Sequence, residues 1–255
     1  MAIDHAALAA AVGAAHDDGE AIEPTAFPPE LTIEDAYAVQ DALVERRREA
    51  WGPIAGYKVG FTNASVQSEF GLEAPIYGRV LAGTVDEGGR FGTAGLIEPM
   101  IEPEIAFVLD RPLSPPATRL DVAAAARFVV PVIEVVDSRV EGWAFDAAGA
   151  VADNALAARL LVGDPVPVGD RDLSLEGVEV RIDGEPRASG TGAAVLGHPA
   201  EAVAWLAAAL EERGGRLEAG DVVTTGTITD PIPIAAGETA LARFASLGTV
   251  LAHAK

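Results

Sequence analysis

The chain has 255 residues, is 49% apolar, carries a formal charge of −21 and contains no cysteine. Length and apolar content suffice for a substantial core, in one large domain or two small ones, and exclude a disordered chain. The lack of thiols excludes disulfides, a cysteine nucleophile and cysteine-held zinc, and the acidic balance makes nucleic acid and anionic lipid poor partners, because gripping phosphate takes clustered Lys and Arg.

Residues 1–20 are alanine-rich but interrupted by Asp4, His5, His16, Asp17 and Asp18. With no basic n-region they read as an amphipathic helix and not as a secretory leader. No run of eighteen apolar residues marks a membrane span, and a cytoplasmic location is expected. A helix is predicted over 33–51, with Thr32 as its cap, Asp35 three residues on and Gly52-Pro53 as its stop. A strand over 54–59 follows, then a short helix over 63–70 stopped by Gly71, a strand over 75–81 and a turn-rich loop over 86–95. The strongest strand signals are 101–109 and 128–136, with a helix over 118–126 between them. Residues 153–161 carry a short helical pattern, for which Asp153-Asn154 would serve as cap. A hairpin around Asp183-Gly184 pairs 178–182 with 187–188, and 199–213 is a helix opened by Pro199 and followed by Gly214-Gly215. Short β runs at 221–225, 232–234, 240–244 and 249–253 complete the chain. This is an α+β pattern, without the β-α-β rhythm of a nucleotide-binding fold. The simplest parse is an N-terminal helical segment, 1–52, ahead of a catalytic domain, 53–255, the two forming one structural unit.

The chemistry concentrates in two apolar runs. In Ile101-Glu102-Pro103-Glu104-Ile105, side chains alternate with period two, so Glu102 and Glu104 share a face. By itself the pair reads as the solvated side of an edge strand, which Pro103 would tolerate. The second run, Val130 to Val136, sets Glu134 among valines and an isoleucine. A carboxylate in a buried strand is costly unless it is paired or binds a metal. A third acid beside the first two adds repulsion unless a cation sits among them. Three carboxylates suit a hard divalent ion such as Mg²⁺ or Mn²⁺, and no histidine lies in these segments to favour zinc. Asp137 points to the opposite face from Glu134, which leaves Glu134 as the third ligand.

Lysine occurs only at Lys58 and Lys255. Lys58 stands in Gly56-Tyr57-Lys58-Val59-Gly60, beside a strand-like stretch. Three carboxylates and one divalent cation sum to a charge of −1, which would repel an anionic substrate. The ammonium of Lys58, or the guanidinium of Arg139, would correct that balance. Arg139 reads equally as a structural partner of Asp137. Asn154, as an amide able to orient a substrate, and Gly226 join Arg139 as secondary candidates for substrate contact. The four histidines are scattered, and His198 reads as a capping or packing residue ahead of Pro199. The acidic, lysine-poor surface keeps the protein soluble and also suits high salt, where such self-repulsion is screened.

Several motifs stand in order: Gly-Tyr-Lys-Val-Gly-Phe-Thr (56–62), Pro-Ile-Tyr-Gly (75–78), Ile-Glu-Pro-Glu-Ile-Ala-Phe-Val-Leu (101–109), Ile-Glu-Val-Val-Asp-Ser-Arg (133–139), Val-Ala-Asp-Asn-Ala (151–155), Val-Leu-Gly-His-Pro (195–199) and Leu-Gly-Thr-Val (247–250). From about residue 30 onward the chain resembles the 2-keto-4-pentenoate hydratase / 4-oxalocrotonate decarboxylase family. The resemblance implies a mixed β-roll of the fumarylacetoacetate hydrolase C-terminal type and a homo-oligomer, and a complex with a pathway partner is a further expectation. It puts the metal ligands on Glu102, Glu104 and Glu134, the catalytic lysine on Lys58, and Mg²⁺ or Mn²⁺ between them. It implies 2-oxo-enoate substrates from meta-cleavage of aromatic rings, with hydration of 2-hydroxypenta-2,4-dienoate placed first and decarboxylation of 4-oxalocrotonate second. Acylpyruvate hydrolysis, or a non-catalytic 2-oxoacid-binding role beside a partner enzyme, stands behind these. Two departures matter. Many hydratases carry Asp where this chain has Ile76, and Leu156 replaces a common serine.

Overall fold

The computed structural model describes residues 3–255, with Ala64 and Ser65 as backbone only; Met1 and Ala2, where the expected first helix began, lie outside the described residues. The elements in order are α1 (His5–Asp18), α2 (Ile33–Trp51), β1 (Ile54–Gly60), α3 (Ala64–Glu69), β2 (Ile76–Leu81), β3 (Val85–Asp86), β4 (Arg90–Phe91), β5 (Met100–Leu109), α4 (Arg119–Ala125), β6 (Ala126–Val136), α5 (Ala147–Ala152), β7 (Ala157–Val162), β8 (Val166–Pro167), β9 (Gly177–Ile182), β10 (Glu185–Thr191), α6 (Pro199–Glu212), β11 (Val222–Thr224), β12 (Ile232–Pro233), β13 (Thr239–Phe244) and β14 (Thr249–Ala254).

Local chemistry sets most boundaries. The Thr32 hydroxyl accepts from Asp35 N at 3.1 Å and starts α2, and Gly52, at φ +78°, ends it. Thr118 and Asp121 close a reciprocal capping box on α4. His198 Nδ1 accepts from Ala200 N at 3.1 Å, which makes it the cap of α6. The window Gly192–Glu212 is long and apolar enough to cross a membrane by length and composition, but half of it is buried inside the protein. There α6 packs on α4 and β1 as a core helix.

Two sheets make up the β layer. The larger runs β2-β1-β11-β5-β6-β7-β3, with β12 added to β5 and β8 to β6; the smaller runs β10-β9-β13-β14-β4. Strand β14 packs against β6 and β7 and joins the two. Helices α1, α2 and α5 pack in series, and their buried residues Val12, Leu43 and Ala150 share one apolar core with Val59, Ile105 and Ile133 of the large sheet.

One alternative falls away and one expectation needs correction. Strand β5 is not an edge strand: it lies between β11 and β6, and Pro103, which has no N–H to give, still accepts through its carbonyl from Ile228 N at 3.0 Å. Residues 153–161 are not a helix. Helix α5 ends at Ala152, a 3₁₀ turn covers Asn154–Leu156, and Ala157 onward pairs antiparallel with β6. The helical bias of Ala, Arg and Leu loses here to backbone pairing and burial in the sheet.

Candidate active site

The register of the large sheet assembles the site. In the antiparallel pair β5–β6, Glu102 stands opposite Glu134 and Glu104 opposite Val132. Directly opposed residues share a face, so two strands with the expected alternation bring three carboxylates together. Glu104 and Glu134 are buried and Glu102 is partly exposed. One ligating oxygen from each lies within 4.8 Å of the others. The register continues from Ala106 to Thr224 and from Thr224 to Lys58, which puts Lys58 on the same face from β1.

Lys58 is buried, with Nζ 3.3 Å from Glu134 Oε2 and donating to the Ala155 carbonyl at 2.9 Å. Burial works to lower its pKa, but Glu134, Glu102 and Glu104 together outweigh it and hold the ammonium charged above its usual range. The carboxylates shift the other way. Burial, opposed by Lys58 and reinforced by Glu134, pushes Glu102 up to about 7. Burial and then its two glutamate neighbours raise Glu104 well above the ordinary range. Glu134 is raised by burial against the pull of Lys58.

Gly226 holds Glu104 from the other side: its N–H donates to Glu104 Oε2 at 2.8 Å. Its φ is +99°, and a Cβ there would meet Thr62 Oγ1 at 2.1 Å, so only glycine fits. Glu104 Oε1 is buried with no hydrogen-bond partner among the described residues, and Glu134 Oε2 has only the ion pair with Lys58. Buried carboxylate oxygens crowded and left without donors fit a hard divalent cation: Glu102, Glu104 and Glu134 would hold Mg²⁺ or Mn²⁺.

Glu102 and Lys58 line a pocket of about 490 Å³. One wall is aromatic. Phe61 stacks on Phe70 with centroids 4.7 Å apart, Phe70 on Phe145 at 5.8 Å, and Trp143 leans on Phe145 at 5.9 Å. Ile76 and Leu156 add aliphatic surface, and exposed Glu69 and Asp230 stand among the lining residues. Trp143 Nε1 is buried with no partner among the described residues.

The secondary candidates divide. Gly226 lines this pocket. Arg139 lines a different one: its Nε reaches Asp153 Oδ1 at 3.0 Å and Oδ2 at 3.1 Å, and Nη1 lies 3.4 Å from Asp137. Asn154 is not among the residues lining the pocket of Glu102 and Lys58. Its amide bridges the Arg79 backbone, accepting from N at 2.8 Å and donating to O at 2.9 Å. Nor does Asp153 cap a helix; it binds Arg139 and His16.

Sequence reasoning missed Ala155. Asn154, Ala155 and Leu156 all have positive φ, at 51°, 51° and 64°, in a region that costs L-residues about 1 kcal/mol or more each. This strained turn aims the Ala155 carbonyl at Lys58. Nothing in the residue types signals it. The aromatic wall comes from segments on both sides of the strands and carries no spacing signal either.

Comparison with known proteins agrees with this geometry. Residues 92–253 match the model of the fumarylacetoacetate (FAA) hydrolase C-terminal family. The chain belongs to that family. Within the fumarylacetoacetate hydrolase C-terminal family it is 43% identical over 229 residues to a 4-oxalocrotonate decarboxylase of Pseudomonas sp. (strain CF600), covering 88% of this chain and 86% of the relative. It is 38% identical over 218 residues to a 2-hydroxyhexa-2,4-dienoate hydratase of Comamonas testosteroni, covering 82% and 81%. Its fold superposes on the 4-oxalocrotonate decarboxylase of Pseudomonas putida G7, solved with magnesium and adipate, with a TM-score of 0.93, 39% identity and coverage of 98% and 97%.

Proposed function

We propose that this protein is a divalent-metal-dependent lyase of 2-oxo-enoates, and that its reaction is decarboxylation of 4-oxalocrotonate (2-oxo-3-hexenedioate). The observation that carries this reading is the under-satisfied carboxylate trio, with one buried ammonium beside it, beneath an aromatic wall. The identity shared with the decarboxylase relatives supports carboxy-lyase over hydro-lyase chemistry.

When bound, Mg²⁺ or Mn²⁺ supplies Lewis-acid polarisation of a 2-oxo group. The chain's own residues do the rest. Lys58, charged and fixed by Ala155 and Glu134, holds a proton for the 2-oxo oxygen. The bond to the distal carboxylate breaks, CO₂ leaves, and the electron pair moves along the conjugated chain to that oxygen. Proton transfer from Lys58 completes 2-hydroxypenta-2,4-dienoate. Phe61, Phe70 and Phe145 exclude water from the distal end, where a carboxylate becomes neutral CO₂ and gains from an apolar setting. Ile76 supplies no proton there, in contrast to the Asp of many hydratases.

A second reading, hydration of 2-hydroxypenta-2,4-dienoate, is favoured by Glu69 and Asp230, two carboxylates able to activate water, and by the hydratase relative. Acylpyruvate hydrolysis finds less support, because no histidine is among the described residues lining the pocket. In this reading the enzyme is a cytoplasmic homo-oligomer, which sedimentation of the native protein checks for subunit number. The deciding assay offers 4-oxalocrotonate and 2-hydroxypenta-2,4-dienoate side by side, with and without Mg²⁺. Metal-dependent CO₂ release from the first is expected. Turnover of only the second installs hydration, and turnover of neither removes the substrate assignment.

A further inference from the structure

Away from the carboxylate trio, a pocket of about 390 Å³ gathers positive charge in a chain of net charge −21. Arg47, Arg139 and Arg159 line it together with His16, Trp51 and Asp17; it shares no lining residue with the pocket of Glu102 and Lys58, while Arg47 and Arg159 also line a small cavity whose lining includes Glu134. Arg139 is fully buried, with its Nε on Asp153 and Nη1 on Asp137, yet its Nη2 has no hydrogen-bond partner among the described residues. Arg47 Nη1 is likewise buried without a hydrogen-bond partner; the nearest carboxylate, the largely exposed Asp17, stands 4.0 Å away. The Arg159 guanidinium lies over the Trp51 ring at 4.6 Å and gives one donor to the Ala158 carbonyl at 2.8 Å.

We infer that this pocket is a second site that binds a small oxyanion, of the phosphate or dicarboxylate class, between the guanidiniums of Arg47 and Arg159 and over that of Arg139. Two of the carboxylates near these guanidiniums, Asp137 and Asp153, are buried, and the third, Asp17, is largely exposed, so the three cations lack a third buried counter-ion. Buried guanidinium donors without acceptors are costly, and a planar fork suits an oxyanion in two-point contact. The cations already repel one another. Burial first, then Arg139, lowers the Arg47 pKa to about 10, and the same two causes lower Arg159. His16 adds no charge: burial and Arg139 lower its pKa to about 3, so it is neutral beside Asp153.

The test is calorimetric titration of the full-length, Mg²⁺-loaded protein with inorganic phosphate and, separately, with succinate. Saturable binding of one or both is expected, weakening with salt. Phosphate alone assigns the site to phosphorylated ligands, and succinate alone to dicarboxylates. Arg47→Gln and Arg159→Gln should each weaken binding by roughly tenfold or more, since each removes a charge-assisted contact. Arg47→Lys and Arg159→Lys keep the charge and guard against misfolding; they should bind more weakly than wild type and more tightly than the glutamine variants. Glu104→Gln, which alters the trio, should bind as wild type does. No saturable binding of either anion overturns the inference, as does binding lost in Glu104→Gln and retained in both arginine variants. Dissociation of an oligomer in Arg47→Gln without anion binding overturns it too, because the cations would then face another chain.

Discussion

Two buried charge clusters lie in this molecule, and they are incomplete in opposite senses. Around Glu102, Glu104 and Glu134 acid outnumbers base by three to one, and the atoms left without partners are carboxylate oxygens. Around Arg139 the carboxylates are well served. Asp153 takes Arg139 Nε, Arg139 N at 2.9 Å and His16 Nε2 at 3.1 Å, and Asp137 takes the N–H groups of Ile97 at 2.9 Å and Glu98 at 2.8 Å. What is left over there is guanidinium nitrogen. The lesson is that the sign of the unsatisfied atom names the missing ligand, a cation in the first case and an anion in the second. Arg139 bridges Asp137 at the end of β6 to Asp153 after α5, so the second cluster also braces the strained turn that aims Ala155 at Lys58.

The sharpest way to break this comparison is Glu104→Gln. Activity should fall on the order of a thousandfold, because several kcal/mol of metal-supplied charge stabilisation goes with the ligand. The metal-free variant should melt no lower than metal-free wild type, since one member of a repelling trio is gone. Added Mg²⁺ should raise the melting temperature of wild type and leave the variant unmoved. Lys58→Met should cost about a hundredfold or more in kcat through the lost proton donor. Unlike Glu104→Gln it should also destabilise the metal-free protein, by roughly 3–5 kcal/mol in denaturant titrations, because it removes the counter-ion of a buried carboxylate. Asp153→Ala should cost a similar 3–5 kcal/mol by stranding Arg139, but kcat of the folded enzyme should change far less than in Lys58→Met. An equal loss of kcat would show that the two clusters are not separable.

The smallest effect is in the pH profile of stability, where the clusters should oppose each other. Glu102 moves from 4.5 to about 7 on folding, so its stabilising share is complete below pH 4.5 and drains away as pH rises to about 7. His16 moves from 6.5 to about 3, so its share is complete above pH 6.5 and drains away as pH falls. Each limb has a slope of at most about 1.4 kcal/mol per pH unit per group. Saturating Mg²⁺ should flatten only the limb belonging to Glu102, and His16→Gln only the acid limb. A profile in which one change flattens both limbs would refute the division.

Residue order alone determined the strands that carry the site and which side chains share a face. Period-two alternation needs no tertiary knowledge, and an acid set among Val and Ile announces a burial cost that something must offset. Local reasoning also gave the Thr32 cap of α2 and offered His198 as a cap for α6, because there side-chain chemistry meets the backbone within a few residues. The tertiary structure alone decided the rest. Register set Glu102 against Glu134 and brought Lys58 to them across β11, from segments that lie far apart along the chain. Sheet pairing turned 157–161 from the end of an expected helix into strand, and the left-handed turn before it has no compositional mark. Arg139 could be read as a partner of Asp137 but not of Asp153, and Asn154 for polarity but not for partner, because a long or amide side chain reaches several places and packing selects among them. Local rules act over one or two turns of chain, while a site assembled across β1, β11, β5 and β6 depends on contacts that no window of sequence contains.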